Sequence, residues 1–240
     1  MADPYSEFVT GLKPDIYFRL DEDAISAPEA PAVGSIAENR GTGGAEIDGH
    51  YQTREGSSVD TTGPTSGAIP GNAGIEISGM AVQMPMSVLA SGKEPFSFSV
   101  WVRPNSSNGG MVLGYGDAVP NGNALMLRII AGQLVIDRFG EGLLESSGRL
   151  AGGEWNAIGV TYDGKETLKV FINGQLDTTY TGSIAGFGNL YAAFGDNLWM
   201  PAQGGQFSGG LDEFAYWKGS ALRDEQMVRL ANPLAALNPK

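Results

Sequence analysis

The sequence predicts an all-β protein, an antiparallel two-sheet β-sandwich with short N- and C-terminal helices. Three observations carry this. Glycine is abundant, at 36 of 240 residues, and turn dipeptides recur along the chain, which favours many short strands over long helices. The stretch Gly153–Tyr180, GEWNAIGVTYDGKETLKVFINGQLDTTY, splits into three β-patterned runs at Asp163-Gly164 and Asn173-Gly174. Asn-Gly supplies the two φ > 0 residues of a type I′ hairpin, so the runs read as an antiparallel meander. Finally, Phe96, Phe98, Val100 and Val102 alternate with Ser97, Ser99, Trp101 and Arg103. Bulk on both faces marks a central strand.

Taken in order, Asp3-Pro4 is a helix start, with Asp as N-cap and Pro at the first helical position. Tyr5, Phe8, Val9 and Leu12 follow at i, i+3, i+4 and i+7 on one apolar face. The spacing predicts a helix over 4–10, closed at Gly11, that packs on the sandwich or on a partner. Residues 1–14 are expected to be a helical arm whose apolar stripe serves assembly, by docking or in a homo-oligomer. The domain proper spans 15–232. Asp15–Leu20 is its first strand. Residues 21–49 lack apolar periodicity and read as a long loop.

Tyr51–Thr53, Gly74–Ser78 and Val82–Met84 are short strands, with a loop over Ser57–Gly71 and a bend at Gly79–Ala81. After the central strand come Met111–Tyr115, a polar loop over Asp117–Asn123, and a hairpin of Leu125–Ile130 and Gln133–Phe139 around Ala131-Gly132. Trp155–Tyr162, Thr167–Ile172 and Gln175–Tyr180 are the meander, and Phe207–Lys218 is the last long strand. Leu222, Gln226, Met227 and Leu230 stand at helical spacing, ended by Asn232-Pro233. Residues 233–240 are a tail.

The formal charge of −12 argues against a nucleic-acid partner, which requires a basic stripe. The absence of cysteine excludes disulfides, thiolate metal sites and Cys nucleophiles. The opening MADPYSEFV lacks the basic region and apolar core of a secretory signal. No window approaches the ~20 apolar residues of a spanning helix. The expectation is a protein made in a cytoplasm, without membrane insertion. Its surplus acid serves solubility or holds a hard cation such as calcium.

The Trp155 strand ending Tyr162-Asp163-Gly164, followed by the apolar strand ending Asn173-Gly174, resembles the concanavalin A-like jelly rolls. The closer likeness is to their laminin G-like, pentraxin-like branch. Phe96–Val102 upstream and Gly210-Leu-Asp212-Glu213-Phe-Ala-Tyr216 downstream resemble the other two signature strands, in the same order. Ala192–Gly195 resembles the strand before the last, and Tyr17-Phe-Arg-Leu-Asp21-Glu22 the family's opening strand. The resemblance runs from about Asp15 to Leu230 and implies a jelly roll more firmly than it implies a function. Tyr5-x-x-Phe8-Val9 before Pro14-x-Ile-Tyr-Phe-Arg-Leu-Asp-Glu also resembles laminin G-like domains of tailed-phage and prophage structural proteins. With no signal peptide, this implies a non-enzymatic recognition or decoration module on a virion surface. It would bind host-surface glycan or a neighbouring virion structural protein. The alternatives are a glycan-cleaving enzyme with carboxylates from different strands, and a purely structural assembly unit.

Glucanases of this fold carry Glu-x-Asp-x-x-Glu, or one residue longer, on one strand, so that alternation aims the carboxylates to one side. No such run occurs here, nor a Gly-x-Ser-x-Gly elbow. The lone His50 reads as structural or solvent-facing. Glycan binding needs aromatic platforms beside polar forks. The best candidate is the loop 196–206, with Trp199 as platform beside Asn197 and Gln203. Otherwise Trp199 plugs the end of the sandwich or packs on a neighbouring subunit. Tyr115, Asp117 and Asn121 are secondary candidates, and Trp101, Trp155 and Trp217 read as core. In related jelly rolls an Asp in the last strand holds a structural calcium ion. The resemblance thus implies a calcium ligand at Asp212, with Asp15 and the Gly41–Gly44 turn nearby. The other reading is that Asp212 accepts backbone N–H bonds or pairs with an Arg. Strict alternation places Asp212 with Phe214 and Tyr216, and Glu213 on the opposite face with Leu211 and Ala215.

Overall fold

The computed structural model describes residues 3–21, 34–53, 63–117, 124–138, 141–184, 187–188, 191–195 and 205–233. Helix α1 (Pro4–Gly11) opens as its sequence requires, with Asp3 Oδ1 accepting the Ser6 N–H at 2.8 Å. The first strands are β1 (Ile16–Phe18), β2 (Ile36–Ala37), β3 (Gly49–Thr53), β4 (Gly63–Ser66), β5 (Ala73–Ser78) and β6 (Met80–Gln83). The next are β7 (Phe96–Pro104), β8 (Gly110–Gly116), β9 (Ala124–Ile130), β10 (Gln133–Arg138) and β11 (Glu141–Glu145). The last are β12 (Asn156–Tyr162), β13 (Thr167–Ile172), β14 (Gln175–Thr181), β15 (Tyr191–Phe194) and β16 (Ser208–Lys218), followed by helix α2 (Asp224–Leu230).

Among the described residues, two antiparallel sheets of eight strands each result. The first runs β14-β13-β12-β7-β16-β5-β4, with β1 also on β16; the second runs β11-β10-β9-β8-β15-β6-β3-β2. The meander is as expected. Asn173 and Gly174 adopt φ of 51° and 80°, the two left-handed residues of the tight turn. Residues 34–49 are less loop-like than their composition suggests. They hold β2 and a 3-10 turn over Gly44–Ile47 that packs through the single buried side chain of Ile47. One inward side chain per turn leaves no period to read.

The main core lies between the sheets, where Phe96 stacks on Tyr216 at 6.0 Å and Phe194 meets Phe214 at 4.6 Å. A second core covers the outer face of the first sheet. There Tyr5 and Val9 of α1 and Met227 and Leu230 of α2 pack on Tyr17, Trp101, Phe171 and Trp217. This is why β7 is bulky on both faces: one meets the opposite sheet and the other lies under the terminal helices. The Tyr5 hydroxyl donates to Leu230 O at 2.8 Å and accepts from Trp101 Nε1 at 3.2 Å, while Trp217 Nε1 donates to Leu12 O at 3.0 Å.

The expectation of an N-terminal arm over 1–14 is therefore corrected. Tyr5 and Val9 are buried, and Phe8 and Leu12 are half-buried against the same cluster. The Arg229 guanidinium sits 4.0 Å from the Phe8 ring centre. The stripe packs within the chain, where burying each large side chain contributes about 1.5–3 kcal/mol.

Candidate binding site

The structure scatters the residues that sequence reasoning grouped. Asn121, Asn197, Trp199 and Gln203 lie outside the described residues. Tyr115 is no sugar platform. A bulge between Met111 and Leu113 turns it inward, where its ring packs on Phe187 at 5.4 Å and on Phe96 and Tyr216 at 6.4 Å. Asp117 stands at the end of β8 with its carboxylate pressed on Gly188, where a Cβ would overlap it. Of the tryptophans read as core, Trp101 and Trp217 are buried. Trp155 is half-buried, with the Arg103 guanidinium 5.1 Å from its ring centre.

Asp212 and Glu213 depart from strict alternation. A bulge in β16 between Asp212 and Ala215 puts Glu213 at φ 53°, so both carboxylates turn to the helix-covered side. Asp212 Oδ2 accepts the Ala68 N–H at 2.8 Å, in a fold of chain so tight that a Cβ on Gly67 would lie 2.7 Å from that oxygen. Glu213 accepts from the Tyr17 hydroxyl, from Arg19 Nε at 3.2 Å and from Asn72 Nδ2 at 2.7 Å. Asn72 Nδ2 also reaches Asp212 Oδ1 at 3.3 Å. Burial raises both carboxyls, Glu213 to about 7 against the pull of Arg19 and Tyr17.

These residues do not fit calcium. The carboxylate oxygens face N–H and O–H donors where a hard cation needs oxygen ligands. Asp15 is held elsewhere, its Oδ2 accepting the Lys218 N–H at 2.7 Å. Among the described residues no group of three or more acidic, His or Cys side chains is placed to hold a metal. The reading of Asp212 as an acceptor of backbone N–H is the one the structure bears out.

The outer face of the second sheet is more open to ligands. Register aligns Ile36, His50, Gln83, Ala193, Gly114, Met126 and Asp137 in one row across it. The middle of the row is closed, for Ala193 and Met126 are buried and Asp137 pairs with Arg128. At the other end Ile36, His50 and Gln83 are exposed. Beside them the 3-10 turn raises Ala45 and Glu46, and with Asp48, Met84 and Pro85 these enclose a hollow of about 320 Å³. A larger groove beside α2 is crossed by the Lys169–Asp224 pair at 2.8 Å, and the Asp163 carboxylate there already accepts three backbone N–H groups.

The hollow is built on a rigid frame. Buried Asn39 accepts the N–H groups of Tyr17 at 2.7 Å and Gly41 at 3.0 Å, and donates to Asp15 O at 3.2 Å and Gly44 O at 3.1 Å. That uses its full bonding capacity. Its backbone N–H donates to Asp48 Oδ1 at 2.7 Å, which fixes that carboxylate in the wall. Ile47 lies so close over Gly43 that a Cβ there would sit 2.0 Å from its Cδ1. Replacing Asn39 with Ala is expected to cost about 2–3 kcal/mol, since buried groups lose their partners. Urea denaturation measures this, and a loss below about 0.5 kcal/mol would show that the turn holds its shape without the hub. His50 is solvent-facing, one of the two roles its sequence setting suggests. Its signal was position: it pairs with Gln83 across β3 and β6 on the outer face, and pairing is not written in either segment.

Residues 78–227 match the family described as the concanavalin A-like lectin/glucanases superfamily, more than half of the chain. The chain belongs to this superfamily. No curated protein sequence matches it. Similar solved structures include domain 4 of AbnA, a GH43 extracellular arabinanase from Geobacillus stearothermophilus, in complex with arabinotriose. It has a TM-score of 0.64 at 20% identity, over 92% of this chain and 98% of that one. Another is the CBM40 of the Ruminococcus gnavus IT-sialidase bound to α2,3-sialyllactose, with a TM-score of 0.53 at 18% identity over 66% and 96%. A third is the binding domain of Paraclostridial Mosquitocidal Protein 1, with a TM-score of 0.60 at 17% identity over 92% and 52%. At such identity the likeness shows the fold alone.

Proposed function

We propose that this superfamily member is a non-catalytic recognition module that binds glycan at the edge hollow of its second sheet. The observation that carries this is the pairing of exposed His50 and Gln83 across β3 and β6, in a hollow whose aliphatic lining comes from Ala45, Met84 and Pro85. Amide and imidazole groups offer directional hydrogen bonds to sugar hydroxyls, and the aliphatic surface suits the C–H faces of a sugar ring. The sealed Asp212–Glu213 pair supports a binding role over hydrolysis, since its donors are internal and the terminal helices cover it. The setting we propose is a phage-like virion surface, resting on the opening-strand resemblance. Mass spectrometry of purified particles that lack the chain would remove this setting and leave the glycan reading intact.

A glycan array probed with the purified chain is the direct test. Binding is expected without release of reducing sugar from the bound glycans. Gln83→Ala should weaken binding about tenfold, the worth of roughly one hydrogen bond to an oriented ligand, with melting temperature unchanged because Gln83 is exposed. An array that stays blank, or steady release of reducing ends, would overturn the proposal.

A further inference from the structure

The walls of the hollow carry information about ligand charge, and this inference rests on the glycan reading above. Two of the residues that enclose it, Glu46 and Asp48, are acidic. Asp48 is pinned in place by the Asn39 N–H at 2.7 Å, so it cannot swing away from an incoming anion. Among the described residues, no Lys or Arg lines the hollow. The nearest basic side chain along the sequence among the described residues, Arg40, is spent on Asp21 at 2.8 Å and Glu38 at 3.4 Å. The whole chain carries a formal charge of −12, which repels an approaching anion before contact. The polar groups on the floor, His50 and Gln83, suit hydroxyl and amide partners.

We infer that the hollow selects uncharged glycans, with Glu46 as the specificity-determining residue that turns away sialylated and uronate-bearing chains. Glu46 stands at the exposed mouth, raised by the 3-10 turn, where a carboxylate on the sugar would meet it. Because the site is open to solvent, the discrimination is electrostatic, moderate in size and weakened by salt. The ligand class is thereby narrowed to neutral oligosaccharides, which sets this chain apart in specificity from a sialyllactose-binding relative of the same fold.

The test uses the full chain and an array that pairs neutral glycans with their sialylated or uronate counterparts, lactose beside α2,3-sialyllactose among them. The wild-type chain is expected to bind at least one neutral glycan and to bind its anionic counterpart at least fivefold more weakly. Glu46→Gln should strengthen binding to the anionic member relative to the neutral one about two- to fivefold, with melting temperature unchanged because Glu46 is exposed. Raising salt from 50 to 500 mM should narrow the wild-type difference. Equal or tighter binding of the anionic member by the wild-type chain would overturn the charge inference while glycan binding stands. An unchanged preference in Glu46→Gln would place the discrimination elsewhere and overturn the role of Glu46. Binding of no glycan of either kind removes this inference together with the function it rests on.

Discussion

Arg19→Met is expected to destabilise the protein by about 3–5 kcal/mol, the loss seen when one partner of a buried ion pair is removed. The Arg19 side chain is 11% exposed and that of Glu213 is 0% exposed. Arg19 holds Glu213 at 3.2 Å and the helix-capping Asp3 at 2.8 Å. Methionine keeps much of the apolar stem but no charge, so Glu213 would be left buried without its cation. The unpaired carboxylate escapes by taking up a proton, so the loss should be larger at pH 8 than at pH 5. Adding Glu213→Gln to Arg19→Met should recover most of the stability, because a neutral amide needs no counter-charge. Urea denaturation of the four proteins in this cycle gives the coupling directly. A loss below about 1 kcal/mol would mean that Tyr17 and Asn72 suffice to hold Glu213 and that Arg19 is dispensable.

The second large effect is a stability that falls as pH rises. Burial pushes Glu213 up to about 7, and burial together with the Glu213 charge pushes Asp212 up as well. In the unfolded chain both would release their protons at ordinary carboxylate values near 4. Between about pH 4.5 and 7 the native state holds protons that the unfolded state has lost, so stability declines through that window and levels off above it. For Glu213 alone the decline is about 3 kcal/mol, opposite in sign to a salt-bridged carboxylate whose value is lowered. Exposed carboxylates titrate in the same range, so the informative quantity is wild type minus Glu213→Gln. That difference should change by about 3 kcal/mol between pH 4.5 and 7.5. Parallel profiles for the two proteins would refute the account.

The sequence by itself determined the meander, the central strand and the hairpin turns, while the short strands β2, β4 and β11 stood in stretches it read as loop or left unassigned. Asn173-Gly174 and Ala131-Gly132 marked two hairpins because positive φ is a demand on single residues, and both pairs adopt it. The two bulky faces of Phe96–Arg103 marked β7 as central, and the structure sets it between β12 and β16. Asp3-Pro4 marked a helix start for the same local reason. These signals lie within a few residues of one another, where backbone sterics and periodicity act.

Only the tertiary structure decided what each face meets. The apolar stripe of α1 is identical in sequence whether it packs on a partner or on its own sheet, and Trp101, Trp217 and Leu230 settle which. Period-two alternation put Asp212 and Glu213 on opposite faces. The bulge that unites them is held by Tyr17, Arg19 and Asn72, up to 196 residues away in the chain, and no local pattern records that demand. Tyr115 looked like a platform beside a polar loop until a one-residue bulge turned it inward. The hollow was least legible of all. His50 and Gln83 become neighbours only when β3 and β6 pair, and Asn39 shapes the wall through bonds to Asp15, Tyr17, Gly41 and Gly44. A binding site is made by long-range strand pairing and shared hydrogen bonds, and these free energies are set by partners that the local sequence does not name.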